Sequence, residues 1–330
     1  MKYFFSIFGI LIILGFLILL NTKFQQQQYK VSNPVSKMPN EGPSLLGMVP
    51  IKTGGEAEIS EITLLFGGDV MLGRYVNVLS NSKKDYTWMF KNSAEFLKNA
   101  DLTVVNLESP FVKNCPLTST GMKFCANDKS VEGLKFAGID VVGIANNHIL
   151  NYGTEGFENT KKVLSSNEIE YTGDGSILYK TLKRVKFSFI AFNDVGNVGS
   201  EIFGVGENAE KMTKLIKEAK EKSDIVIVSF HFGQEYIATA SDRQKYLSYL
   251  AIDTGADVII GHHPHWMQNV ELYKDKPIFY SLGNLVFDQM WSENTRLGML
   301  AKLTFKGNKY SNYELFYTKI FDYGRVVLLD

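Results

Sequence analysis

Cysteine is scarce in this chain: Cys115 and Cys125 are the only two among 330 residues. Two cysteines do not make a disulfide framework, and with no second pair they do not suggest a thiolate metal site. An excess of charge is also missing. Lys+Arg and Asp+Glu each total 35, so the balance gives no argument for a nucleic-acid partner. No internal repeat is present. Histidine is rare too, with five residues. What remains is ordinary globular composition, 45% hydrophobic and 21% charged, in a length that allows one large domain or two small ones.

One apolar run stands apart. Tyr3–Leu20 carries no charge, and as a helix it spans ~27 Å, close to the ~30 Å hydrocarbon core of a bilayer. No small-x-small cleavage pattern and no lipobox-like cysteine follow it, since Asn21-Thr22-Lys23 comes directly after. The run is therefore expected to be an uncleaved, single-pass N-terminal transmembrane anchor, residues 1–20, rather than a removed signal peptide. Lys2 and the N-terminal amine favour a cytoplasmic N-terminus, opposed in part by Lys23 and Lys30. The rest of the chain is then expected on the extracytoplasmic side of the cell membrane. Residues 21–59 read as a flexible linker, with Gln25-Gln26-Gln27-Gln28, Gly54-Gly55 and four of the eight prolines (Pro34, Pro39, Pro43, Pro50). In an exported domain Cys115 and Cys125 are able to pair across the loop 116–124.

From about residue 60 short β-rich runs alternate with helical patterns. Strands are predicted at Ile62–Phe66, Leu102–Leu107, Val141–Ala145, Val185–Phe192, Ile225–Phe230, Val258–Ile260 and Ile278–Leu282. Helices are predicted at Lys91–Asn99, Glu155–Ser165, Asn208–Lys222 and Asp242–Asp253. The last is capped by Ser241, repeats Tyr246, Leu247, Leu250 and Ala251 at helical spacing, and stops at Gly255. This alternation predicts an α/β domain. The C-terminal part, Leu300–Phe305, Leu315–Ile320 and Val326–Leu329, is strand after strand. No linker-like stretch interrupts residues 60–330, so one domain is expected there.

The histidines fall where these strands end. Gly261-His262-His263-Pro264-His265 holds three of the five, directly behind the apolar run Asp257–Ile260. In an extended backbone His263 and His265 share one side and His262 faces the other. Two neutral imidazoles on one side suit zinc, manganese or iron; a solvated histidine-rich turn or satisfied core histidines is the plain alternative. Asp69 follows the first strand, Asn106-Leu107-Glu108 ends the second, and Asn146-Asn147-His148 follows the third. His231 follows Ile225–Phe230, and Asn284 and Asp288 follow Ile278–Leu282. Each has an ordinary explanation by itself: a helix cap for Asp69, a left-handed turn for Asn147, a packed core histidine for His231. Ligands in open α/β sheets collect at the carboxyl ends of strands, and here the polar residues gather at one edge together. A metal site is the expectation.

The order Gly68-Asp69-Val70-Met71, Asn106-Leu107-Glu108, Ala145-Asn146-Asn147-His148 with Asn151-Tyr152-Gly153, His231-Phe232-Gly233-Gln234-Glu235-Tyr236, Gly261-His262-His263-Pro264-His265 and Tyr280-Ser281-Leu282-Gly283-Asn284 resembles the bacterial capsule-synthesis CapA family. That family is linked to poly-γ-glutamate capsule biosynthesis and belongs to the calcineurin-like metallophosphoesterase superfamily. The resemblance covers about residues 62–288. It implies a four-layer α/β fold, two facing β-sheets flanked by helices, with two divalent ions of manganese, iron or zinc type at one edge. By motif, Asp69 and Glu108 would bridge the ions, Asn147, His231 and His263 would complete one site, and His265 would serve the other. His148 would be the general acid, and His262 would be packing or outer-shell. The wider superfamily has a histidine two residues after the first aspartate; Met71 stands there, and a thioether is a soft, weak ligand. One ion site is thus expected to be weak. Arg74 and Asn284 are expected to contact an anionic substrate.

Two functions follow as expectations. The first is an envelope metal-dependent hydrolase that cuts a phosphoester or an amide. The second is a non-catalytic accessory subunit that holds an anionic polymer during capsule assembly or export, alongside other membrane subunits.

Overall fold

The computed structural model describes residues 61–206 and 208–329. The expected anchor Tyr3–Leu20 and linker 21–59 lie outside the described residues. Among the described residues no helix is long and apolar enough to cross a membrane.

In chain order the strands are β1 (Glu61–Val70), β2 (Leu102–Leu107), β3 (Val141–Gly143), β4 (Glu170–Thr172), β5 (Leu178–Leu182), β6 (Val185–Asn193), β7 (Ile225–His231), β8 (Val258–His262), β9 (Val270–Tyr273), β10 (Lys276–Phe279), β11 (Asn284–Val286), β12 (Leu297–Lys306), β13 (Lys309–Phe321) and β14 (Arg325–Leu328). They form two mixed sheets. The first runs β14-β13-β12-β1-β2-β3-β4, with β11 also paired to β1, and the second runs β5-β6-β7-β8-β10-β9. The strands that end at the histidines and carboxylates are parallel: β1, β2, β3 and β11 in the first sheet, β6, β7, β8 and β10 in the second.

Side-chain alternation sets the layers. Ile62, Leu64 and Phe66 of β1 meet Phe187, Phe189, Ile225, Ile227, Val258 and Ile260 in a core between the sheets. The opposite face of the first sheet, with Leu65, Val105 and Val142, packs on Val76, Leu134, Phe157 and Leu164 of the helices Arg74–Lys83, Val131–Ala137 and Gly153–Ser165. The outer face of the second sheet, with Val226, Val228 and Ile259, packs on Met212, Ile216, Leu247 and Ala251 of Glu210–Lys222 and Asp242–Thr254. Both sheets are thus covered on both sides, in four layers. Each fully buried Leu, Ile or Phe in these cores contributes roughly 1.5–3 kcal/mol. The helix Asp242–Thr254 starts at a capping box, Ser241 with Gln244, and ends at Gly255.

Several predicted bounds need correction. Lys91–Asn99 is helical only over Ala94–Leu97, after a 3-10 turn Trp88–Phe90; Asn92 and Ser93 favour caps and turns over a helix interior. Val141–Ala145 stops as a strand at Gly143, and Ile278–Leu282 is displaced to Lys276–Phe279. The helices Arg74–Lys83 and Val131–Ala137 and the short strands β4, β5, β9 and β11 carry too few periodic residues to stand out in the sequence.

Candidate metal centre

The centre forms where the parallel strands of both sheets end. Asp69 at the end of β1 is in register with Asn106 of β2 and Asn284 of β11. Gly68 makes this approach possible, because a Cβ there would sit 2.0 Å from the Gly283 carbonyl oxygen. The Asp69 N–H donates to that same oxygen at 2.9 Å. On the second sheet His231 of β7 is in register with His262 of β8.

Glu108 occupies the middle. It is fully buried, and neither carboxylate oxygen has a hydrogen-bond donor. Its Oε1 lies 3.8 Å from His231 Nε2, 3.8 Å from His265 Nε2 and 3.9 Å from His148 Nε2. His231 Nε2 in turn lies 3.0 Å from Asn147 Oδ1 and 3.2 Å from His263 Nδ1. Lone pairs therefore crowd one small volume with few protons to share. A buried, uncompensated carboxylate costs several kcal/mol, and either a bound cation or a proton removes that cost. One ligand atom each of Asp69, Glu108 and His231 fall within 4.8 Å of one another, and so do those of Glu235, His263 and His265.

Neighbouring groups aim these side chains. Asn106 Nδ2 donates to Asp69 Oδ1 at 2.8 Å, and Asn146 Nδ2 donates to Asn106 Oδ1 at 3.2 Å. Asn146 Oδ1 accepts from the N–H groups of His148 and Ile149. His265 Nδ1 donates to Asn284 Oδ1 at 3.0 Å, which turns Nε2 toward Glu108. His148 Nδ1 donates to Asn151 Oδ1 at 3.0 Å, and its ring stacks on Phe124 at 3.9 Å between centroids. The backbone at His263 and His265 is not extended, contrary to the expectation from sequence. Both have positive φ, 94° and 57°, a sparsely populated region for such residues. The imidazoles converge through this turn, 5.8 Å apart, with the His263 N–H bonded to Asp69 Oδ2 at 3.3 Å.

Protonation follows from burial and charge. Burial opposes ionisation of Asp69, but His262 and His265 outweigh it and hold the carboxyl well below its ordinary value. Burial pushes Glu108 well up, aided by Asp69 and Glu235. Burial, with the other imidazoles, pulls His231 well down and His263 to about 3, so both rings are neutral, the ligating form. Burial also lowers His148 to about 4. For His265 burial is outweighed by Glu108 and Asp69, which push it up to about 9.

Of the residues expected from sequence, Asp69, Glu108, Asn147, His148, His231, His263 and His265 come together here. His262 is close as well, its Nδ1 3.2 Å from Asp69 Oδ1 but off the hydrogen-bonding line. Asn284, expected to meet substrate, is fully buried behind His265, its amide nitrogen bonded to Gln289 and to the Thr295 carbonyl. Arg74 lines a cleft of about 300 Å³ beside the centre with Phe124, His148, Glu235, Tyr236, His265 and Trp291. Its guanidinium is already engaged, by Asp288 and by the Gly121 carbonyl at 3.2 Å. The loop over this cleft is closed by the Cys115–Cys125 disulfide. Sequence reasoning gives no role to Glu235, Asn106, Asn151 or Phe124. For Glu235 the available signal is a carboxylate four residues after a strand-end histidine with Gly233 between them.

Fold and site together define an α/β two-sheet protein with a buried carboxylate–histidine centre compatible with divalent metal ions. Residues 63–289 match the family described as "Bacterial capsule synthesis protein PGA_cap". The chain is 33% identical over 265 residues to the "PGA biosynthesis protein CapA" of Bacillus subtilis, across 76% of this chain and 69% of that protein. It is 32% identical over 265 residues to the "Capsule biosynthesis protein CapA" of Bacillus anthracis, across 74% of this chain and 64% of that one, so it spans less than two thirds of the latter. A hypothetical protein of known structure from Thermus thermophilus shares the fold, with TM-score 0.51, 15% identity, and coverage of 78% of this chain and 99% of that one. The chain belongs to the bacterial capsule-synthesis (PGA_cap, CapA) family.

Proposed function

We propose that the protein is a metal-dependent hydrolase of capsule or poly-γ-glutamate biosynthesis, working at the cell envelope on an anionic substrate. The observation that carries this is Glu108: a buried carboxylate without one hydrogen-bond donor, ringed by three imidazoles at 3.8–3.9 Å. Asp69, Glu108, Asn147, His231, His263 and His265 would hold two divalent ions. When bound, such ions polarise a substrate oxygen and activate water for attack.

The residues around them have separable tasks. Asn284 and Asn106 keep His265 and Asp69 oriented. His148, held by Asn151 and Phe124, presents Nε2 to the cleft, where it handles the proton of the leaving atom. Since burial favours its neutral ring, Nε2 must first take a proton from solvent through the cleft it lines before passing it to the leaving atom. Arg74, locked by Asp288, fixes the cleft wall and one anionic group. The disulfide and the uncharged run Tyr3–Leu20 support an extracytoplasmic domain on a membrane anchor.

The test is metal analysis of the full-length chain joined to an activity screen on phosphoesters and γ-glutamyl peptides. Metal-dependent turnover that His148→Ala abolishes, with metal retained, supports the hydrolase. Metal binding without turnover, together with capture of an anionic polymer, replaces it with the accessory polymer-holding role.

A further inference from the structure

Met71 stands where the resemblance calls for a histidine ligand, and its side chain is occupied elsewhere. It is fully buried among Phe124, Phe287 and Ile320, and its sulfur accepts the Gly73 N–H at 3.0 Å. The His265 side of the centre therefore needs another donor. Glu235 is in position: one of its carboxylate oxygens lies within 4.8 Å of a ring nitrogen of both His263 and His265. Its loop is fixed there. Gly233 takes φ 94°, and any Cβ at that position would meet the Gln244 side chain at 2.5 Å. The Tyr236 N–H donates to the Pro264 carbonyl at 2.8 Å, and Pro264 is the residue between the two histidines. The Tyr236 hydroxyl accepts from Gln289 Nε2 at 3.1 Å. Independently, the unpartnered oxygens of Glu108 face both sides of the centre, with Oε1 3.8 Å from His265 Nε2 and 3.8 Å from His231 Nε2.

We propose that Glu235 is an ion ligand of the His265 side, taking the part that a histidine at position 71 would play. The inference rests on the divalent-ion reading of the centre. It makes this side richer in carboxylate oxygen, and carboxylate donors suit manganese better than zinc. Met71 is then not a defect of the site, because the ligand has moved from the end of β1 to the loop after β7.

The test uses the full-length chain, stripped of metal and titrated with Mn²⁺, with metal content counted on the same samples. Wild type is expected to take two ions per chain. Glu235→Gln, which keeps size and removes charge at a partly exposed position, is expected to keep one ion and to bind the other at least ~10²-fold more weakly. Glu235→Asp should fall between them. Two Mn²⁺ bound by Glu235→Gln with wild-type affinity would overturn the assignment of Glu235 alone. A wild-type chain that binds no Mn²⁺ would overturn the centre and this inference with it.

Discussion

The two halves of the centre are built by different means. Asp69, Glu108 and His231 stand at the ends of β1, β2 and β7, fully or almost fully buried, with β1 and β2 register-locked to each other and β7 to its own neighbours. Glu235, His263 and His265 stand on two loops. Their backbone is bent through positive φ at Gly233, Tyr236, His263 and His265, and a few hydrogen bonds hold it. The strand ladder supplies a rigid half. The loops supply a half that opens to the cleft, where strain and substrate contact usually coincide. The difference teaches that one sheet edge can hold fixed donor groups and adjustable ones side by side.

Glu108 touches both halves, so its loss has the largest expected effect. Glu108→Gln should weaken divalent-ion binding by more than ~10²-fold at both halves, a larger loss than orienting residues give. The ion-free variant should melt at or above the wild-type temperature, because a buried carboxyl group without a hydrogen-bond partner is gone; calorimetry with and without Mn²⁺ reads both effects. Next comes the loop over the cleft. A double Cys115→Ser, Cys125→Ser change should lower stability by up to ~3 kcal/mol, measured by urea unfolding. It should also loosen the cleft side, where Arg74 meets Gly121 and Phe124 stacks on His148, while the strand-end ion stays.

Much of this contrast is legible in the sequence, and for a physical reason. Strand-end residues follow apolar runs whose period is visible, so the pattern alone places Asp69, Glu108 and His231 at one edge. The fold class follows from the same runs. Loop geometry has no period. An extended chain would set His263 and His265 on one side, and they converge instead through a left-handed turn. Glu235 lies in a recognisable motif, yet the motif assigns it no task, because its approach depends on Gly233 and on a bond to the Pro264 carbonyl. Asn284 follows a predicted strand and reads as a cleft residue. It sits behind His265 because β11 pairs with β1, a pairing of so few residues that it leaves almost no trace in the sequence.

Smaller effects sharpen the contrast. Asn284→Ala removes the acceptor that orients His265 and should weaken the cleft-side ion by ~10–100-fold, with the strand-end ion unchanged; stepwise Mn²⁺ titration separates the two. Far from both halves, Asp85 is held at about 2, chiefly by Lys91, against an ordinary 3.8. Its lowered value means the pair stabilises the fold above about pH 3.8, and that contribution disappears as pH falls through 2. The pair is near the surface, so Asp85→Asn should cost within ~1 kcal/mol at neutral pH, vanish in an acid melt, and leave ion binding untouched.

The central claim is that the acceptors around Glu108 are gathered to hold divalent ions. The direct measurement is calorimetric titration of the metal-free full-length chain with Mn²⁺, repeated on Glu108→Gln. The account predicts saturable binding by the wild type at both halves, tighter as pH rises toward about 9 because the proton held by His265 competes with the ion, and its loss in the variant. Absence of saturable binding by the wild type, or equal binding by Glu108→Gln, would contradict it.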